Sequence, residues 1–96
     1  MSNKNINLKL GNIELRKYKG WNDPELDGDI SDKYEFIKWE NVNDKEYCYV
    51  VAFATPTSEG YDIRTVGSRP WDLEGEDFDN YNKLVSMFFN IADLMK

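Results

Sequence analysis

The chain contains no histidine. That removes Ser-His-Asp and Cys-His catalytic arrangements, histidine metal sites and the commonest general base. It has one cysteine, Cys48, so neither an intrachain disulfide nor a paired-cysteine zinc site can form, and a reducing compartment is the expected setting. Its few glycines make no Gly-x-Gly-x-x-Gly and no Gly-rich loop leading into a Lys-Ser/Thr pair. Nowhere do 18 apolar residues follow one another, and the stretch from Met1 to Ile6 has no apolar signal-peptide core, so a cytoplasmic protein is expected. Positive charge is in deficit, 12 basic against 18 acidic residues for a net charge of −6. A field of that sign repels nucleic-acid phosphates, and direct DNA or RNA binding is not expected.

What is present is organised around Tyr47-Cys48-Tyr49-Val50-Val51-Ala52-Phe53-Ala54, a run without charge, Gly or Pro. It is apolar at both parities, as a strand covered on both faces would be. Cys48 within it reads as a small core residue in preference to a nucleophile. A length of 96 residues fits a single domain, 1–96, with one core and no large internal cavity.

Ile6, Leu8 and Leu10, then Ile13 and Leu15, alternate with polar residues around Gly11-Asn12, which predicts a β-hairpin at an edge of the sheet or folded over one side. Residues 22–33 hold four aspartates and a glutamate with Pro24 and Gly28, and read as a loop. Asp23, Glu25, Asp27 and Gly28 fall at the first, third, fifth and sixth positions of an EF-hand pattern, but the twelfth is Tyr34 where a bidentate glutamate is needed. No metal is expected; Asp23, Asp27 and Asp29 are the weak candidates.

Tyr34–Glu40 reads as a strand paired with the central run through a turn at 41–46, and Tyr61–Val66 as a strand returning beside it after a loop at 55–60. A plain alternating register puts Ile37, Trp39, Cys48, Val50, Ala52, Ala54, Tyr61 and Ile63 on one face. From Asp77 or Asp79 to Lys96, Phe78, Tyr81, Leu84, Val85, Phe88, Ile91, Ala92 and Met95 recur at three and four spacing, which predicts a helix lying on that face. Its apolar arc is wide, with Met87 and Leu94 on one flank and Phe89 on the other. Asp72, Glu74, Glu76, Asp77 and Asp79 sit at or before the helix start, where the macrodipole favours negative charge. The predicted fold is α+β: an antiparallel sheet of four to five strands, N-terminal hairpin plus three-strand meander, with one C-terminal helix on one face.

The segments Cys48-Tyr49-Val50-Val51-Ala52-Phe53, Glu59-Gly60-Tyr61-Asp62-Ile63 and Val66-Gly67-Ser68-Arg69-Pro70-Trp71 before a terminal helix resemble small uncharacterised proteins encoded by phages and mobile elements of low-GC bacteria. The resemblance covers about residues 34–96. No activity defines such proteins; what the resemblance implies is a protein that acts by binding a host protein, including components of defence systems. The expected function is therefore a non-enzymatic protein-binding module without cofactor, possessing a host protein or a second copy of itself as partner. A small-ligand or metal-binding domain and an unrecognised enzyme are the alternatives.

Two surfaces are candidates for that partner. The face turned away from the helix is expected to present Tyr34, Phe36, Tyr49 and Arg64, and the helix flank Met87, Ile91 and Leu94. Arg69 and Trp71, in the segment before the helix, complete the set.

Overall fold

The computed structural model describes residues 6–18 and 33–94. The candidate cation ligands Asp23, Asp27 and Asp29 lie outside them. Five strands, β1 (Leu8–Leu10), β2 (Ile13–Lys17), β3 (Tyr34–Val42), β4 (Lys45–Thr57) and β5 (Gly60–Thr65), precede one helix, α1 (Glu76–Leu94). The strands form one antiparallel sheet in the order β1-β2-β3-β4-β5, with α1 packed against it. The hairpin thus takes the sheet edge and does not fold over a face. The two meander turns are tighter than the sequence suggests: Asn43 and Asp44, both at positive φ (55° and 64°), join β3 to β4, and Ser58-Glu59 join β4 to β5. Two consecutive positive φ values make the turn whose twist suits a two-residue hairpin, and Asn and Asp tolerate them best after Gly.

One irregularity sets the arrangement of side chains. Phe36 is opposite Ala52, but the next residue, Ile37, is opposite Val50, so Val51 is an extra residue in β4. Such a bulge inverts the alternation beyond it. On the turn side the register is the expected one, Trp39 with Cys48 and Ile37 with Val50. On the other side it is displaced, and Phe36 and Tyr34 join Ala52 and Ala54. The core under α1 is consequently Ile13, Leu15, Tyr34, Phe36, Val51, Ala52, Ala54, Tyr81, Leu84 and Phe88, with Ile6 and Leu73 closing its margins. Phe88 is its centre: ring centroids of Tyr61, Tyr34 and Phe36 lie 4.8, 5.3 and 6.3 Å away, mostly edge to face, the arrangement aromatic quadrupoles favour.

The expected division of faces is therefore corrected in both directions. Ile37, Trp39, Cys48 and Val50 turn away from α1, while Tyr34, Phe36 and Val51 are buried beneath it, and Tyr49, expected on the far face, lies half-buried on the helix side against the core. Ala52, Ala54, Tyr61 and Ile63 do face the helix, and Phe53, Asp62 and Arg64 do not. Among the described residues the outer face carries paired charges and rings. Arg16 Nε donates to Glu35 Oε2 at 2.8 Å, and Trp39 Nε1 to Glu14 Oε1 at 2.8 Å. The Lys33 ammonium stands 4.5 Å from the Phe53 ring and 4.9 Å from that of Tyr18.

Candidate functional site

β3 and β4 are longer than their neighbours. The ladder with β2 ends at Ile13–Lys38, and that with β5 at Ala52–Thr65. Beyond those points the two strands continue as a two-stranded arm, and every residue from Asn41 to Cys48 is exposed. Tyr47 is 52% exposed at its middle. Cys48, expected in the core, is exposed because it turns away from α1 and the central run outlasts β5 beside it. Apolar character at both parities was a sound sign of strand, but not of cover on both faces.

The segment after β5 is tied to the base of this arm. Val66 N–H donates to the Val51 carbonyl at 2.9 Å, and Arg69 Nη1 donates to the Val50 carbonyl at 2.8 Å. The same guanidinium lies 5.3 Å over the Tyr49 ring. Tight turns follow, with Trp71 N–H on the Ser68 carbonyl at 3.0 Å and Ser68 Oγ on Asp72 Oδ2 at 3.0 Å. Pro70 and Leu73 point inward and are buried, which turns Trp71 between them outward to 64% exposure. Asp77, in the first turn of α1, reaches Lys38 Nζ at 2.8 Å and so draws the helix start to the foot of the arm.

Of the sequence candidates, the structure brings Tyr49 and Arg69 together here, with Trp71 exposed two residues further along the segment that carries Arg69. Tyr34 and Phe36 are removed from any exposed surface by the Val51 bulge. Arg64 stands apart on β5, exposed and paired with Asp62 at 3.2 Å. Met87 and Leu94 are exposed on one flank of α1, about 15 and 25 Å along the helix axis from Asp77, with Ile91 between them half-buried against the core. Tyr47 and Val42 are exposed arm residues that the sequence reading passed over. The available signal was length: six residues of β5 cannot cover thirteen of β4.

The electrostatics of the region are uneven. Burial, then the charge of Glu40, pushes the Tyr49 phenol above its ordinary value, against the pull of Lys38 and Arg69. Lys38 and Asp77 cancel as a pair. Around the arm and the Arg69 segment that leaves Glu40, Asp44, Glu46, Asp72, Glu74 and Glu76 against Lys45 and Arg69. Among the described residues no three carboxylates or thiols gather as a metal site, and no helix is long and apolar enough to cross a membrane. The arrangement offers aromatic anchors, free strand backbone and an acidic rim, which are means of recognition. No protein-family model, curated protein or solved structure matches the chain.

Proposed function

We propose that this protein is a small non-enzymatic protein-binding module, and that it holds its partner on the β3–β4 arm together with the Arg69–Trp71 segment. The observation that carries this is the outward display of Tyr47 and Trp71, each on backbone fixed by hydrogen bonds. Large aromatic rings on ordered backbone and left in water are what interface hot spots are made of, because they bury much area at little entropic cost. An acidic rim around them steers and selects a complementary surface. The resemblance over residues 34–96 makes a bacterial host protein, including a defence component, the first partner to seek.

The test is capture from a low-GC bacterial host lysate, followed by reconstitution with the purified partner. Tyr47→Ala and Trp71→Ala are expected to fold as the wild type does and to lose at least about tenfold in affinity, a cost of about 1.4 kcal/mol. Met87→Glu, on the α1 flank, should bind normally. Loss of the partner with Met87→Glu alone moves the working surface to the helix, and a purified complex indifferent to all three variants ends the proposal.

A further inference from the structure

We infer that the partner contributes an extended, basic segment that adds as a strand to the open edge of β4, beside Glu46 and Cys48; this rests on the arm being the binding surface. The Val50 carbonyl points to the edge, since Arg69 takes it from the side on which β5 has ended. Backbone groups of a strand alternate with a period of two, so the N–H and C=O of Cys48 and of Glu46 line the same edge. Tyr47, between them, turns its backbone to β3. An edge of this kind is a template for a further strand.

The other edges of the sheet are less open to addition. β1 has three residues, and β5 carries Asp62 and Arg64, exposed charges of the sort that discourage pairing. The arm instead presents the uncharged sequence Tyr47-Cys48-Tyr49 along its edge. Arg69 closes the inner end, so an added strand stops at Val50 and spans roughly five residues, an ordinary strand length.

Charge selects the occupant. On the outer face, residues of the added strand would stand beside Glu46; on the helix side they would stand beside Tyr47, near Glu40. Lysine or arginine suits either position, as an opposite-charge cross-strand pair with Glu46 or as a cation over the Tyr47 ring, so cations on one face of the added strand suffice. A second copy of this chain offers an edge with no run of cations and brings its own rim of Glu40, Asp44 and Glu46, which is of like sign.

The probe is an acetylated, amidated hexapeptide of alternating lysine and valine, with two controls: the same peptide N-methylated at alternate residues, and its glutamate-valine counterpart. Amide exchange of the ¹⁵N-labelled full chain is read by NMR. The lysine-valine peptide is expected to slow exchange at Glu46 and Cys48 by about tenfold near saturation, and neither control should do so. Equal protection by the N-methylated or the glutamate peptide, perturbation confined to α1, or no protection at millimolar peptide overturns the inference. Cys48→Pro removes an outward N–H and leaves the β3 ladder, so it should abolish protection while Cys48→Ser keeps it. If a captured partner binds Cys48→Pro as it binds the wild type but is lost with Tyr47→Ala, the arm remains the binding surface and strand addition is wrong. Sedimentation of the wild type as a dimer that Cys48→Pro dissociates overturns the basic partner in favour of self-pairing.

Discussion

Lys38 Nζ and Asp77 Oδ2 meet at 2.8 Å, joining the middle of β3 to the first turn of α1 with both side chains largely covered. The pair fixes where the helix begins relative to the sheet, and Asp77 also complements the positive end of the helix dipole. Partial burial makes it worth more than a surface ion pair.

Lys38→Met should therefore destabilise the fold by about 1 to 2 kcal/mol at low salt. The gap to the wild type should narrow without closing at about 1 M salt, since screening reaches a half-covered pair incompletely. Urea titrations at two salt concentrations check this; equal midpoints at low salt mean that the pair contributes nothing.

The bulge at Val51 separates two positions that plain alternation would place together. Ala52 is 0% exposed in the core with Phe36 and Phe88, so Ala52→Phe should overpack it and cost roughly 1 to 3 kcal/mol. Cys48→Phe, on the exposed arm, should stay within about 0.5 kcal/mol of the wild type. Similar losses for both variants would put the two residues back on one buried face.

Cys48 should react with a thiol-specific disulfide reagent in the native protein at a rate close to that in denaturant. A native rate lower by about a hundredfold or more, the behaviour of a thiol reached only through opening of the structure, contradicts the exposed arm.

Tyr81 supplies a pH test. Burial beneath the sheet raises its phenol above the ordinary value of 10.0. Below about pH 10 the proton is bound in both folded and unfolded chains, and its contribution is fully present. As the pH rises further the unfolded chain releases the proton first, so stability falls through the interval up to the raised native value. Tyr81→Phe, which has no proton to lose, should show a shallower alkaline decline in urea midpoint. Parallel declines for variant and wild type count against a buried, proton-holding phenol.

The local content of the fold was legible in the sequence. Gly11-Asn12 between alternating aliphatics marked the β1–β2 hairpin, three and four spacing from Phe78 to Ala92 marked α1, and the β-branched and aromatic runs marked the meander. Those signals are local, because hydrophobic period and turn chemistry are written in neighbouring residues. The register near the β3–β4 turn was legible for the same reason.

Tertiary structure decided what each strand shows to solvent. One extra residue at Val51 is invisible in a run that is apolar at every position, yet it sends Tyr34 and Phe36 under Phe88 and puts Cys48, Val50, Ile37 and Trp39 on the face away from α1, where Ile37 stays buried and Cys48 is exposed. The arm exists because β5 stops at Thr65 and the chain is then held at Val50 by Arg69, a contact spanning 19 residues. Trp71 is exposed because Pro70 and Leu73 take the inward positions beside it. Composition names the residues able to be core or surface; which of them becomes the site depends on pairing lengths and a bulge set by contacts between distant strands.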